Sequence, residues 1–299
     1  MSIVESKNIT NLVTCVILSY KSGNKIFKAI DSILNQDYPY IELIISDDGS
    51  PEFDTNRIED YIYKYKRLNI NNFIIIKHKK NMGTVRNYND AIIKSNGKYI
   101  INLAADDRFF DISTVTNIIQ AFEQNKADIV VGNAISIDTE KNINQSIKMK
   151  YLKKPDKKKL FNRLALENFI SGSCTYYSKK YFDVYGLFDT DMRLIEDWPN
   201  IIKAVSMDAS IYYLDRPTVY YSPGGVSTVE NKSASFLNDY CNIIKKYILD
   251  NTLSTTFTKR YASYMLIRIK TNRKVPLIYN IRYIDVVLYK AIEWVKNGN

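Results

Sequence analysis

Histidine occurs once in the 299 residues, and cysteine three times, at Cys15, Cys174 and Cys241. The cysteines are odd in number, far apart and never spaced as CxxC. That indicates neither a disulfide framework nor a zinc site, and it fits a reducing compartment. His78 lies in "IIIKHKKN", ahead of a helical stretch, and reads as neither ligand nor base. The longest apolar run, "LVTCVIL", is far short of the roughly 20 residues that a membrane-spanning helix needs. The opening "MSIVESKNIT" is polar and acidic, with no signal-peptide core. A cytoplasmic protein is expected. Internal repeats and low-complexity linkers are also missing.

Apolar residues make up 45% of the chain, enough for a packed core. The length suits one large domain, or one domain with an appendage. The net charge of +10 is unevenly spread. Lys148 to Arg163 carries +7 and Asn231 to the end carries +8, which leaves about −5 elsewhere. Such asymmetry suggests an anionic partner: nucleic acid, an acidic membrane or a phosphorylated substrate. Solvated lysines serving solubility are the plain alternative for the first tract.

The first hundred residues alternate strand and helix. "LVTCVILS", "IELIIS", "NFIIIKH" and "KYIINLA" are short, apolar and β-branched, as buried strands are. Between them, "GNKIFKAIDSILNQ", residues 56–68 and "GTVRNYNDAIIKSN" carry apolar residues at helical spacing. This order predicts a mostly parallel sheet with helices on both faces. Ligands of such sheets bind beyond the carboxyl ends of the strands. Three polar clusters fall there: Ser19–Tyr20, Asp47–Asp48 and Asp106–Asp107. Each alone is ordinary turn chemistry, but three on one rim indicate a site. The adjacent carboxylates of Asp106 and Asp107 repel each other and call for a cation or hydroxyls.

Further along, a helix follows Phe110 with Asp111 or Ser113 as its N-cap. "ADIVVGNAISI" reads as a strand, and the lysine-rich tract as a surface excursion. "SCTYYSKKYFDVYGLFDTDMRLIEDWPNIIKAVSM" ends in a helix. "SIYYLDRPTVYY" gives one or two strands, and "SPGGVST" a loop. Beyond Val229 three basic amphipathic helices are predicted, with Pro276 separating the last two. The expected domains are therefore 1–229 and 230–299.

"VTCVILSYKSG", "SILNQDYPYIELIISDDGS", "NMGTVRNYNDAIIKSNGKYIINLAADD" and "GLFDTDMRLIEDW" resemble, in order, segments of the family 2 glycosyltransferases. The resemblance covers roughly residues 11–229. It implies the GT-A fold, a Rossmann-like mostly parallel sheet, here with a C-terminal helical extension. It also implies inverting transfer of a sugar from a nucleotide-diphosphate donor to an acceptor hydroxyl, in bacterial surface polysaccharide, lipopolysaccharide or glycoconjugate assembly. Mg2+ or Mn2+ suits a diphosphate leaving group. By resemblance Asp107 is the metal ligand, and Asp106 takes ribose or sugar hydroxyls. Asp48 holds the base through a ring N–H, which favours UDP over a cytosine or adenine nucleotide and leaves dTDP and GDP open. Asp47 braces the turn. Ser19 and Tyr20 line the nucleoside pocket, and Arg86 contacts carbonyls or phosphate. Asp197 in "IEDWP" is the general base, with Glu196 as the alternative or as a loop-orienting group. Helix N-terminal placement favours an ionised Asp197, and burial opposes it. Trp198 is either an acceptor-stacking or a core aromatic.

Two positions depart from the family pattern. Ala104 stands where another carboxylate is frequent, and Leu18 where a proline is. "SPGGVST" carries no histidine, so a second protein ligand to the metal is left open, and Gly224 and Gly225 are expected in a loop over the diphosphate. The C-terminal helices suggest peripheral contact with the inner membrane face, where lipid-linked glycan acceptors lie. Packing on the main domain or a homodimer accounts for the same apolar stripe. Two rivals are a sugar-nucleotide nucleotidyltransferase, which predicts a glycine-rich basic loop after the first strand, and a non-enzymatic polyanion-binding protein, which has no need of Asp107. Neither a QxxRW motif nor spanning helices of a processive synthase are present.

Overall fold

The computed structural model describes residues 11–140, 146–153, 156–224 and 232–296. Gly225, the opening segment and the expected boundary at residues 229 and 230 lie outside the described residues. The described chain divides into two compact units. One holds the chain up to 143 with 173–187 and 210–223. The other holds 144–172, 188–209 and the chain from 224 on.

The first unit begins with β1 (Val13–Ser19), α1 (Ile26–Leu34), β2 (Ile41–Asp47), α2 (Thr55–Tyr65), β3 (Ile70–Lys77), α3 (Thr84–Lys94) and β4 (Tyr99–Ala104). β2 is buried along its whole length and β1 everywhere but at half-buried Leu18, as strands covered on both faces must be. On one face Cys15, Ile17, Leu43 and Leu103 meet the apolar stripes of α1 and α2. In α1 that stripe is Ile26, Ala29, Ile30, Ile33 and Leu34, the i, i+3, i+4, i+7 and i+8 spacing. α3 covers the other face. There Ser46 Oγ donates to Asn87 Oδ1 at 2.6 Å, and Asn87 Nδ2 donates to the Ser46 carbonyl at 3.0 Å.

β5 (Arg108–Phe109), α4 (Thr114–Asn125) and β6 (Ile129–Ser136) come next. Asp111 Oδ1 accepts from Ser113 N, Ser113 Oγ and Thr114 Oγ1 ahead of α4, while Ser113 occupies the N-cap without its hydroxyl capping an amide of the helix. The chain then enters the second unit with α5 (Ser146–Lys153) and α6 (Lys157–Leu166). The lysine-rich tract is thus two helices rather than a surface excursion. Met149, Leu152, Leu160, Phe161 and Leu164 are buried from it, and Asp156 caps α6 by accepting from Lys159 N at 3.0 Å.

β7 (Thr175–Ser178), α7 (Lys179–Tyr185), α8 (Asp197–Ser206) and β8 (Ile211–Tyr221) follow, with β7, α7 and β8 in the first unit and α8 in the second. The sheet order is β3-β2-β1-β4-β7-β6-β8-β5. β1–β2, β2–β3, β1–β4 and β6–β8 pair parallel. β7 is inserted antiparallel between β4 and β6, and β5 pairs antiparallel with β8. The mostly parallel α/β sheet expected from the sequence is present.

The second unit continues with α9 (Ala234–Ile243), which runs on as a π-helical turn to Leu249, then α10 (Thr256–Lys270), α11 (Leu277–Arg282) and α12 (Ile284–Lys296). The last predicted helix is two, because the backbone leaves helical geometry at Tyr283, where φ is −114° and ψ 36°. Asn162 of α6 joins this unit together: it accepts from Thr255 N and Thr258 Oγ1 and donates to the Leu253 carbonyl. Tyr261, Tyr264 and Val286 form a small core between α10 and α12. No described helix is long and apolar enough to cross a membrane.

Candidate functional site

In the first unit, β2 and β3 extend the sheet on one side of β1, and β4 lies on the other. The carboxyl ends of β1 and β4 therefore flank a topological switch point, where open parallel sheets take their ligands. Ser19 stands opposite Asp47, and Leu18 opposite Ala104. Ala105 N donates to the Leu18 carbonyl at 2.9 Å, and Asp48 N to the Ser19 carbonyl at 2.8 Å. The three polar clusters are thus brought to one rim.

Asp47 is fully buried and spans two loops. Its Oδ1 accepts from Ser19 Oγ at 3.0 Å and Ser50 Oγ at 2.6 Å, and its Oδ2 from Ser50 N at 2.7 Å. Ser50 Oγ in turn accepts from Lys21 N at 2.7 Å, where the backbone is left-handed with φ 50°. Asp48 is buried, and its two oxygens accept from Met82 N at 2.6 Å and Gly83 N at 2.8 Å, fixing the turn ahead of α3. Gly49 makes that approach possible. It has φ 74°, and a Cβ there would lie 2.7 Å from Lys80 Cα. Tyr20 is exposed, with Lys21 Nζ 5.2 Å from its ring centroid. Arg86 is exposed on the first turn of α3. A cavity of about 640 Å3 opens beside this rim, not over Asp107, between Lys21, Ser22, Phe27, Ser50, Phe53 and Arg57.

Asp107 is 1% exposed. Its Oδ1 accepts from Ser222 N at 2.7 Å, and Ser222 Oγ donates to the Asp106 carbonyl at 2.6 Å. The β5–β8 pairing delivers Ser222 to this place, since Arg108 stands opposite Tyr220. Asp107 Oδ2 is buried and has no hydrogen-bond partner among the described residues. Burial, reinforced by the charge of Asp106 and opposed by the Ser222 amide, pushes Asp107 up to about 7. A buried carboxylate oxygen with nothing to bond is a costly state that a hard cation relieves. Asp107 Oδ2 is an oxygen of the kind a divalent ion takes, while among the described residues no group of three or more ligating side chains gathers.

In the second unit, Asp197 opens α8, with Glu196 at the N-cap and Pro199 in the first turn, where its missing N–H is harmless. Asp197 Oδ1 accepts from Trp198 N at 2.7 Å. Its Oδ2 accepts from Asn168 Nδ2 at 3.0 Å and Gly172 N at 3.2 Å. A Cβ at Gly172 would come within 3.1 Å of Asp197 Cβ and 3.2 Å of Glu196 Oε1, so a side chain there would press on both carboxylate residues. Burial raises the Asp197 carboxyl, and the three donors oppose that rise. Glu196 is pushed up to about 8 by burial first and then by the charge of Asp197. Burial thus raises both carboxyls, and Asp197 is the one that carries three donors opposing the rise. Trp198 is 3% exposed, donates Nε1–H to the Leu164 carbonyl at 2.8 Å and packs on Tyr240. Its ring serves the core.

Asp239 was not singled out from the sequence. It is 2% exposed on α9. Its Oδ2 alone accepts from three successive amides, Arg193 N at 2.9 Å, Leu194 N at 2.6 Å and Ile195 N at 3.2 Å. Those residues lead straight into Glu196 and Asp197. Asn168, Gly172 and Ser222 were also missed, because each acts through a contact far away in the chain.

The family model described as "Glycosyl transferase family 2" matches residues 14–186. An "uncharacterized glycosyltransferase" of Rickettsia felis is 28% identical over 246 residues, which cover 78% of this chain and 37% of that protein. The chain thus spans well under half the length of that relative. Among solved structures, Staphylococcus aureus TarS 1-349 in complex with UDP-GlcNAc is similar with a TM-score of 0.65 at 18% identity, over 92% of this chain and 79% of that one. The mannosyltransferase PcManGT from Pyrobaculum calidifontis, in complex with GDP-Man and Mn2+, has a TM-score of 0.58 at 12% identity, over 97% of this chain and 76% of that one. Likeness at such identities concerns the fold.

Proposed function

The chain belongs to glycosyl transferase family 2, and on that premise we propose that it transfers a sugar, with inversion, from a UDP-sugar to a hydroxyl of a glycan acceptor in bacterial surface glycan assembly. The observation that carries the reading is Asp107 Oδ2, buried without a partner at the sheet's switch point. A divalent ion, Mn2+ or Mg2+, would supply positive charge to a departing diphosphate there.

The remaining roles belong to the chain itself. Ser222 N holds Asp107 in place through Oδ1, which leaves Oδ2 to the ion. Asp106 is the ligand for ribose or sugar hydroxyls. Tyr20, exposed at the end of β1, offers a ring face to the base, and Ser19 shapes the pocket floor through Asp47. Asp48 holds the 81–83 turn with one lone pair on each oxygen, and each oxygen keeps another for a base N–H. Arg86, exposed on the first turn of α3, is the residue for carbonyls or phosphate in this reading. These donor roles fall within 1–229, and 230–299 is a basic helical region that supplies Asp239 to the loop ahead of Asp197.

Asp197 takes the proton of the acceptor hydroxyl. Its three donors favour the ionised form that a base needs, and such catalysis is worth roughly 10²–10⁴-fold. Glu196, protonated at neutral pH, orients the loop. The test is a panel of nucleotide-sugars with divalent ion, scored by release of nucleotide diphosphate. Release from a UDP-sugar, abolished in Asp107→Asn, supports the reading. Release from no nucleotide-sugar, or release that Asp107→Asn leaves intact, refutes it.

A further inference from the structure

α12 is apolar on two sides. Val286 is buried against Tyr261 and Tyr264. On the opposite side Ile284, Leu288, Ala291, Ile292 and Val295 recur at i, i+4, i+7, i+8 and i+11, an arc of about 100°, and all five are exposed. Leu277 and Ile281 of α11 are exposed as well. Leu277, Ile281, Ile284, Leu288, Ile292 and Val295 are between 53% and 73% exposed. Isolated exposed apolar residues are ordinary, but a stripe along the length of α12 with more of them on α11 is not. Trp294, exposed beside the stripe, has the amphipathic ring favoured at a lipid–water boundary.

The charges around the stripe decide its occupant. Between Lys270 and Lys296 there are six basic and two acidic residues. Both acids are already engaged: Asp285 with Arg260 at 2.7 Å, and Glu293 with Lys296 at 3.6 Å and Arg163 at 3.8 Å. Arg273, Lys274, Arg282 and Lys296 are exposed. A second copy would bring the same basic rim against itself, which opposes a symmetric pairing. A surface of anionic lipid meets the apolar stripe and the basic rim together. We propose that the outer face of α11 and α12 docks on an anionic membrane surface, with the stripe at the acyl boundary and the Lys/Arg rim on the headgroups. This does not rest on the transferase reading, since it uses no residue of that site.

The test is flotation of the full chain with phosphatidylglycerol–phosphatidylcholine vesicles and with phosphatidylcholine vesicles, alongside its mass in solution. Two variants are compared, Leu288→Asp/Ile292→Asp and Arg273→Glu/Lys274→Glu, with circular dichroism verifying their helices. The wild-type chain is expected to float with the anionic vesicles only and to release in high salt. Each variant should bind roughly tenfold or more weakly. Equal flotation with neutral vesicles, unchanged binding of both variants, or no flotation at all would overturn the proposal. So would a wild-type dimer that Leu288→Asp/Ile292→Asp turns to monomer, because the face would then be a self-interface.

Discussion

Replacing Asp107 by asparagine should cost the protein its chemistry and yet stabilise it without metal at alkaline pH. Burial lifts the carboxyl from an ordinary 3.8 to about 7. The folded state therefore binds more protons than the unfolded chain between those values. Stability from this group falls as pH rises through that window and levels off above it. At about 1.4 kcal/mol per pH unit, the loss between pH 4 and pH 8 reaches about 4 kcal/mol. The asparagine does not titrate. It keeps an oxygen for Ser222 N but leaves its NH2 where Oδ2 was buried, at a cost of about 1–3 kcal/mol. The variant is thus expected to be about 1–3 kcal/mol less stable than wild type at pH 4 and about 1–3 kcal/mol more stable at pH 8. Denaturant unfolding in EDTA at both pH values measures this, and the other titrating groups cancel in the difference. A difference between variant and wild type that is the same at pH 4 and pH 8 would refute the reasoning.

Other outcomes follow from the same geometry. Asp197→Asn should lower kcat by roughly 10²–10⁴-fold with UDP binding retained, whereas Glu196→Gln, matching a protonated carboxyl, should keep most of kcat at pH 7. Steady-state kinetics on both variants would separate them, and normal turnover by Asp197→Asn removes it as the base. Asp239→Ala strands three backbone donors and should lower kcat with little change in donor affinity, while Asp239→Asn, which retains an acceptor oxygen, should recover much of it. Similar kinetics for the alanine and asparagine variants would contradict that positioning role. Gly49→Ala forces a side chain into a left-handed turn against Lys80 and should destabilise by about 1–3 kcal/mol, read as a lowered unfolding midpoint.

The parallel half of the sheet was legible because buried strands write themselves as β-branched apolar runs, and β1, β2 and β4 are such runs. α10 was legible to the residue, since Pro276 and the turn after Lys270 isolate it. β5, at two residues, is too short to carry a period, and β7 was hidden in a longer segment. α5 and α6 were obscured by their lysines, which hid Leu160, Phe161 and Leu164 on the inner face. The Asp106–Asp107 pair announced itself through like charges side by side. Its partner Ser222 lies 115 residues away, and only the β5–β8 ladder unites them. Asp239 left no trace in the sequence because its partners are backbone amides, and a backbone amide has no letter of its own.

The most direct test of the central claim is calorimetric titration of UDP into the wild-type chain and into Asp107→Asn, each with Mn2+ and with EDTA. Wild type should bind UDP roughly tenfold or more tightly with Mn2+ than with EDTA, and Asp107→Asn should show no such gain. Equal affinity of the wild-type chain under both conditions would contradict the account.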